Sequence, residues 1–297
     1  MSFAPQANYL LICGSLHPEV YQRLCQCGKA LEVMPVYVGT RFAELHELGP
    51  ILVTAPDSFS LLSELCQDDH LRPSASLLYS AVPLGNVLEH MQRFVAPANA
   101  HGGVSLLGFG DPLVARYWLD SHQGEELDAV LGPIDAWHVP EYSHSWEPEP
   151  PSAWRSFVRV TPAAECREPT AFLDQNQLNA LESAARWRLM ERLYLMLEMD
   201  HANHLLRVDK RQLSQWLDEH LNEAQAWGLF SQRSKAIWIE YSLRWGDGFV
   251  QQSDGPYAQW LSHNPDACKL APELRIHQMD EDCLHINQNP VLNKEVS

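Results

Sequence analysis

The sequence is short of positive charge, because 21 lysine and arginine residues stand against 38 aspartate and glutamate residues and leave a net charge of −17 at pH 7. A protein that binds nucleic acid or an anionic membrane needs a cationic surface to replace the counterions of phosphate groups. The composition therefore disfavours both kinds of partner. Long apolar runs are missing too, since no stretch approaches the roughly 18 to 20 apolar residues of a membrane-spanning helix.

A disulfide framework is also missing. The seven cysteines are odd in number, and several lie within apolar runs such as Tyr9–Cys13 rather than in evenly spaced loops. No basic residue precedes Arg23, and the N-terminal segment lacks the apolar core of a secretion signal. We therefore expect a cytoplasmic protein with reduced thiols. Its 45% hydrophobic and 20% charged residues are typical of a chain that folds.

Short apolar runs alternate with amphipathic segments in the first half of the chain. The runs are β-prone and bounded by Gly, Pro or Asp, which predicts strands at Tyr9–Cys13, 33–38, 50–55, 76–82 and 104–109. Helices are predicted after Pro18, after Asp57, over 84–94 and after Asp111–Pro112. Two successive strands with no helix between them indicate a partly antiparallel sheet. We predict the α+β class, with an N-terminal mixed α/β lobe built on a central mixed sheet.

Proline punctuates the chain from about residue 138 to residue 170 and predicts a linker there. We therefore divide the chain into a mixed α/β domain at 1–140, a proline-rich linker at 141–170 and an all-helical lobe at 171–297. One strand, 156–160, is predicted inside the linker. The acidic residues favour the first half: residues 1–150 hold 6 basic and 18 acidic side chains, against 15 and 20 in residues 151–297.

The second half carries helix signals. Asp174 and Gln177 have the spacing of a capping box, and leucines continue from there at helical spacing. Further helices are predicted from Asp209 to Gly228 and from Ser231 toward Trp245. The first and third of these helices are apolar over more than one face, which indicates burial between two layers or a face that a partner covers.

Large aromatic and aliphatic side chains of this helical lobe are therefore candidates for partner contact, with core burial as the alternative. The candidates are Trp227, Phe230, Trp238, Ile239, Leu243, Trp245 and Trp260. Substituting Ile239 and Leu243 by Asp separates the two roles, because a partner face would lose binding and a core face would unfold.

A catalytic constellation does not emerge from the motifs. The turn Gly108 to Asp111 lies where a phosphate loop would, but it lacks the third glycine, and Asp111 would repel phosphate. His201 and His204 are the nearest approach to a chelating pair, without a third ligand or a positioned base. We expect no enzyme activity and no cofactor. A metal-dependent hydrolase that uses His201, His204 and an acidic partner remains the alternative.

Several separate segments follow one another in the order and spacing of a known family. They are Tyr9-Leu-Leu-Ile with Gly14, Pro35-Val-Tyr37-Val-Gly39-Thr40, Gly49-Pro50-Ile-Leu-Val53, Leu107 to Asp111-Pro112, and Gly132-Pro133-Ile134 with Trp137. Over residues 8–137 the chain resembles the domain of unknown function found in type VI secretion effector chaperones, also called adaptors. The helical second half is similar to their variable C-terminal lobe. Cys13 stands where Asp is usual, and Gly108 to Gly110 stand where Arg and an aromatic are common.

The resemblance implies a bacterial, cytoplasmic, non-catalytic protein. Its expected partners are one cognate secreted toxin effector and VgrG, the tip protein of the secretion spike, onto which it helps to load the toxin. An immunity-type protein that binds and blocks a toxin is a second alternative, because an acidic surface suits a basic nuclease. The motif glycines and prolines are expected to be turn and packing positions rather than a binding site.

Overall fold

A computed structural model describes residues 5–26, 31–54, 72–99, 102–148, 154–162 and 172–288. The chain forms two compact units. The sheet unit comprises Met1–Ser143 and Pro148–Arg186, and the helical unit comprises His144–Glu147 and Trp187–Ser297. Residues 144–147, which lie within the predicted linker, belong to the helical unit, although the residues on both sides of them belong to the sheet unit. In the described part of the chain, no helix is long and apolar enough to span a membrane.

The α+β class is confirmed. The sheet unit is built on a six-stranded sheet with the strand order β2-β3-β1-β4-β6-β7. These strands are β1 Tyr9–Cys13, β2 Glu32–Pro35, β3 Pro50–Thr54, β4 Ala75–Tyr79, β6 Ala136–Pro140 and β7 Trp154–Val158. Every described pair of neighbours in it is antiparallel, so the expectation of a mixed sheet is corrected. A separate parallel pair joins β5 Ala98–Asn99 to β8 Phe172–Leu173.

Strand β1 lies at the centre of the sheet and is buried along its whole length. Its side chains alternate between two cores, as the period of two in a strand requires. Tyr9 and Leu11 enter the larger core, while Leu10 and Ile12 enter the smaller one. Because both faces are covered, β1 reads in the sequence as a continuous apolar run instead of an alternating one.

Helices cover both faces of the sheet. They are α1 Val20–Gln26, α2 Leu84–Gln92, α3 Pro112–Asp120 and α4 Glu125–Leu131. α1 contributes Val20 and Leu24 to the smaller core, and the other three helices contribute to the larger one. The start of α3 follows its sequence signal, because Asp111 accepts a hydrogen bond from the Leu113 N–H at 3.0 Å and Pro112 needs no partner for its nitrogen.

Three sequence predictions in this unit have different outcomes, and one strand was not predicted. The strand inside the predicted linker is present, at Trp154–Val158. The strand predicted over 104–109 is wrong, because Val104 makes only an isolated bridge to Ala98 and the rest is loop. Strand β6, which precedes the linker, escaped prediction. The helix predicted after Asp57 lies outside the described residues.

The helices of the second half are α5 Gln175–Leu205, α6 Leu213–Trp227, α7 Gln232–Trp245, α8 Pro256–His263 and α9 Pro272–Gln288. The predicted capping box is confirmed, since Asp174 accepts from the backbone N–H groups of Asn176 and Gln177 while the Gln177 side chain accepts from the Asp174 N–H at 2.7 Å. Ser231 caps α7 by accepting from the Ser234 N–H. Residues of α5 up to Arg186 belong to the sheet unit, and the remainder belongs to the helical unit.

Helix α7 is the centre of the helical unit, because its opposite faces enter two different cores. Ile237, Trp238 and Tyr241 join an aromatic core with residues of α8 and α9. Ile239 and Leu243 join a second core with residues of α5 and α6. A helix placed between two cores is apolar around most of its circumference, which explains the sequence pattern without a partner.

Candidate interaction surface

The motif segments of the sheet unit meet at one end of the central strands. The Gly14 N–H donates to the carbonyl oxygen of Gly49 at 3.0 Å, which joins the residue after β1 to the residue before β3. A Cβ atom on Gly14 would overlap the Glu47 carbonyl oxygen, and one on Gly49 would lie 2.5 Å from the Tyr37 ring. Both positions therefore require glycine for close approach of the backbone.

Between β2 and β3 the chain makes a compact excursion, which we call the 36–49 loop. Its ends are close together, because the Val36 N–H donates to the Pro50 carbonyl at 2.8 Å. At its base, Val36 and Tyr37 are buried in the larger core. A loop of this length with adjacent ends and internal packing is an Ω-loop, a kind of segment that often carries function.

Hydrogen bonds fix the 36–49 loop in one conformation. The Thr40 hydroxyl donates to the Tyr37 carbonyl at 2.7 Å and accepts from the Phe42 N–H. The Gln92 side-chain amide of α2 donates to the carbonyls of Val36 and Val38, at 3.1 and 2.8 Å. A 3-10 helical turn over Ala43–Leu45 closes the far side. The loop is thus ordered by its own sequence and by its neighbour α2.

Although the loop is ordered, it exposes apolar side chains. Val38 is 46% exposed, Leu45 is 41% exposed and Leu48 is 54% exposed. Glu44 and Glu47, which directly precede the two leucines, are exposed as well. The one cation of the loop, Arg41, lies over the Phe42 ring at 4.8 Å. The loop therefore presents two exposed leucines, each of which directly follows an exposed glutamate.

The α1 helix supports the second half of the loop. The rings of Tyr21 and His46 meet edge to face, with their centroids 5.5 Å apart. The Gln22 amide donates to a carboxylate oxygen of Glu47 at 3.5 Å. These contacts leave Leu45 and Leu48 exposed. The loop is consequently held from both sides, by α2 and by α1, with its apolar side chains outside both contacts.

Cys13 and Asp111 do not form a reactive pair at this end of the sheet. Burial raises the pKa of the Cys13 thiol, a hydrogen bond with Ser15 lowers it in part, and the charge of Asp111 raises it again. A thiol in such surroundings is a poor nucleophile. The Asp111 carboxylate occupies the start of α3, where it would repel a phosphate, as the sequence predicts.

The partner-contact residues predicted in the helical lobe are mostly core residues. Trp238, Ile239, Leu243 and Trp260 are buried, and Trp227 and Trp245 are half-buried against the aromatic core. The guanidinium of Arg275 lies over the Trp227 ring at 5.4 Å. Only Phe230 among the seven is exposed, at 69%. The partner role proposed for the Ile239 and Leu243 face is therefore corrected to core packing.

His201 and His204 do not converge on a third ligand. The His201 Nε2 lies 3.1 Å from Glu240 Oε1, and the same oxygen accepts from Arg244 at 2.7 Å. Among the residues that the structure describes, no group of three or more His, Cys, Asp or Glu side chains is arranged to hold a metal ion. The Glu240 carboxylate thus balances two basic groups within one unit.

His144 is a packing residue that the proline-rich setting concealed. Its ring stacks between Trp146 and Trp187, with centroid distances of 4.1 and 4.4 Å, and its Nδ1 lies 3.0 Å from Glu191 Oε2. Glu191 also accepts from the Ser145 hydroxyl and N–H. These contacts make residues 144–147 an ordered part of the helical unit. In the sequence, the signal for this packing was the run His144-Ser-Trp146 inside the proline-rich segment.

The family comparison concerns the sheet unit. The family model described as "Domain of unknown function (DUF4123)" matches residues 8–129, which is less than half of the chain. The matched segment contains β1, the whole 36–49 loop, β3 and the capped start of α3. No curated protein and no solved structure matches the chain. Residues 8–129, including the 36–49 loop and the glycines at its base, therefore match the DUF4123 domain family.

Proposed function

We propose that the protein is a type VI secretion effector adaptor that binds one cognate toxin and helps to load it onto the VgrG spike tip protein. The observation that carries the proposal is the DUF4123 match over residues 8–129, which overlaps the motif segments on which the resemblance to these adaptors rests. In this proposal the protein acts by binding, in the bacterial cytoplasm, and no step of it is catalytic.

The arrangement of the motif residues supports a binding role. Gly14, Gly49 and Tyr37 are packing positions that shape a loop, and the Cys13 thiol is buried. The motif residues lie at the two ends of an ordered surface segment that exposes Val38, Leu45 and Leu48. Exposed apolar groups on a rigid support are typical of a protein-binding surface.

The test uses the purified full-length chain together with the toxin and the spike protein encoded beside its gene. We expect a stable complex with each on size-exclusion chromatography, and a ternary complex when all three are mixed. In cells, deletion of the gene should abolish secretion of that toxin, and the wild-type gene supplied in trans should restore it. Secretion of a toxin from a different spike cluster serves as the matched control.

Two results would overturn the proposal. Unchanged toxin stability and secretion in the deletion strain would leave the adaptor role without support. Protection of a toxin-producing cell by this protein alone would instead indicate an immunity function, because immunity proteins block their toxin whereas adaptors enable its export.

A further inference from the structure

His138 and Ser156 form a side-chain pair that no sequence motif reveals, because they lie 18 positions apart and meet only across two strands. They are opposite residues of β6 and β7 in the sheet unit. The His138 Nδ1 lies 2.8 Å from the Ser156 hydroxyl oxygen. A serine hydroxyl within hydrogen-bond reach of an imidazole nitrogen is the arrangement in which histidine acts as the base for a serine nucleophile.

The two members of this pair lie in the environments that a base and a nucleophile need. His138 is buried, and burial lowers the pKa of its ring, although a hydrogen bond with the Gln6 backbone raises it in part. The ring is therefore neutral at pH 7 and can accept a proton. The Gln6 contact also orients the ring, as the third member of a catalytic triad does. Ser156 is exposed on the last strand of the sheet, where a reactant can reach it.

Other described serines near histidines differ from Ser156. Ser234 lies 2.9 Å from the His277 Nε2, but it is fully buried. Ser121 and Ser262 each precede a histidine, but their hydroxyls donate to backbone carbonyls at 2.6 and 2.7 Å, so that their protons are already engaged. Of these four serines, only Ser156 combines exposure with a hydroxyl that is bonded to a histidine nitrogen.

The backbone beside Ser156 offers a donor for a developing negative charge. The Arg159 N–H donates to the carbonyl of Asp135, the residue before β6. Because successive residues of a strand alternate between the two sides, the Ser156 N–H points to the outer side of β7. On that same side, the Val160 N–H donates to a carboxylate oxygen of Asp128 at 2.9 Å. The outer edge of β7 therefore presents N–H groups that suit an anionic oxygen.

We propose that Ser156 is a nucleophilic serine that takes up an acyl group from an ester, with His138 as its general base. The Ser156 oxygen attacks the acyl carbon and gives its proton to the His138 Nδ1. The new O–C bond forms, the bond from the acyl carbon to the leaving oxygen breaks, and His138 returns the proton to that oxygen. The products are an acylated serine and an alcohol. The Ser156 N–H stabilises the oxyanion of the intermediate.

The neighbours of Ser156 on its own face of the sheet indicate which acyl group fits. Side chains two positions apart in a strand share a face, so Trp154 and Val158 lie on either side of Ser156. Trp154 packs against the smaller core, and Val158 is 55% exposed. Both are apolar, and the site therefore suits an apolar acyl group better than a charged one. This activity goes beyond the proposed function and does not depend on it.

The experiment treats the purified full-length protein with an alkyl fluorophosphonate, a reagent that labels activated serines. The serine oxygen displaces fluoride from phosphorus, and the proton leaves with the fluoride. We expect a single label, located at Ser156 by mass spectrometry of proteolytic fragments. Ser156→Ala should lose the label. Ser262→Ala, which removes another exposed serine next to a histidine, is the matched control and should keep it.

His138→Gln tests the base. Glutamine keeps a polar side chain at this position but cannot accept the proton, so labelling should slow by about 100-fold or more. Circular dichroism checks that the variant folds. Release of nitrophenolate from p-nitrophenyl butyrate gives a second measurement, which Ser156→Ala should abolish and Ser262→Ala should leave unchanged. Because Ser156 is exposed, its variant decides the question even where the His138 variant does not fold.

Two results would overturn the inference. The first is that the folded wild-type protein takes up no label at Ser156 and releases no nitrophenolate above the level of Ser156→Ala. The second is that folded His138→Gln reacts as fast as the wild type, because the histidine would then not act as a base. Neither result affects the adaptor proposal, which the complexes with toxin and spike protein test separately.

Discussion

The two units of this chain keep their folds by different means. The sheet unit brings backbone close to backbone, with aliphatic strands such as β1 buried on both faces and glycines where two segments almost touch. Rings pack in both units, between Phe94 and Trp118 in the sheet unit and between Trp238 and Phe249 in the helical unit, with centroids 5.2 and 5.0 Å apart, but the helical unit depends on them through most of one core. The close backbone approaches therefore make the first unit sensitive to added atoms, and the ring core makes the second sensitive to atoms that are removed or charged.

The same contrast separates the surfaces that each unit presents. Aromatic side chains that look like partner anchors in the helical sequence are used to build its two cores. In the sheet unit, leucines that look unremarkable in the sequence are held in solvent by the 36–49 loop. A large apolar side chain in the sequence thus indicates core packing more directly than it indicates a binding surface. Substitutions in each unit test this difference.

The largest effect is expected from Ile239→Asp in the helical unit. Ile239 is fully buried in the core shared with α5 and α6, so the new carboxylate would lie without a partner in an apolar site. We expect a loss of more than about 5 kcal/mol in the free energy of unfolding, which is enough to unfold the unit. Urea denaturation followed by tryptophan fluorescence measures it. Leu195→Asp, on the exposed side of α5, is the control, and a similar loss there would contradict the prediction.

Phe249→Ala should have the next largest effect. Phe249 is fully buried and touches the rings of Trp238, Tyr241 and Tyr257, so its removal leaves a cavity within the aromatic core. We expect a loss of about 3 to 5 kcal/mol in the free energy of unfolding. Phe230→Ala removes the same side chain from an exposed position and should change stability by less than about 0.5 kcal/mol. Equal losses of stability for the two variants would show that packing in the aromatic core does not stabilise the helical unit.

Gly14→Ala tests whether an added methyl group destabilises the sheet unit. The added methyl group would overlap the carbonyl oxygen of Glu47, which is backbone and yields only if the 36–49 loop moves. A loss of about 1 to 3 kcal/mol is expected, as for other overpacked sites. Gly85→Ala makes the same change in α2, where nothing lies within 4 Å of the new atom, and should stabilise the unit by up to about 1 kcal/mol. Calorimetric unfolding measures the stability of both variants. A loss for Gly14→Ala alone would show that the close backbone contact, and not alanine in general, causes the effect.

The smallest effect concerns Asp128 in the sheet unit and depends on pH. Burial raises the pKa of this carboxyl, but hydrogen bonds from Thr161 and Val160 and the charge of Arg159 outweigh it and hold the pKa below its usual value. Because the folded-state pKa is the lower one, the stabilisation is fully present above the unfolded-state pKa of about 4 and disappears as the pH falls through the folded-state pKa.

Asp128→Asn should therefore destabilise the unit by about 1 kcal/mol at pH 7. The difference from the wild type should shrink as the pH is lowered toward 3, since the wild-type carboxyl then loses its charge. Chemical denaturation at a series of pH values measures this difference. A gap that stays constant with pH would show that the charge on Asp128 is irrelevant to the contact with Val160 and Thr161.

The parts of the fold that could be predicted are those determined by residues close together in the sequence. The capping box at Asp174, the Asp111–Pro112 start of α3 and the run Tyr9–Cys13 each depend on residues within a few positions of one another, and all three are present. The failures involve distant contacts. The run 104–109 is apolar because Leu107 and Phe109 enter the larger core from a loop, although no strand pairs with them in the described sheet.

The candidate surface was hidden for the same reason. The sequence predicted a strand over 33–38, which ends at Pro35 in the structure, and turn or packing roles for Gly39 and Gly49–Pro50, and the resemblance placed these segments within a family. It did not show that the loop between them is closed on itself by Val36 and Pro50 or held by Gln92, which lies more than fifty positions away. Whether Leu45 and Leu48 are buried or exposed depends on that closure.

The sequence by itself determined the acidic character of the protein, the α+β class, the capped starts of α3, α5 and α7 and the family motifs, because each follows from composition or from neighbours in the chain. The tertiary structure alone decided which apolar side chains are core and which are surface. Burial depends on what approaches from elsewhere in the chain, so Ile239 in the core with α5 and α6 and Leu48 on an ordered loop look alike as residues and have opposite environments.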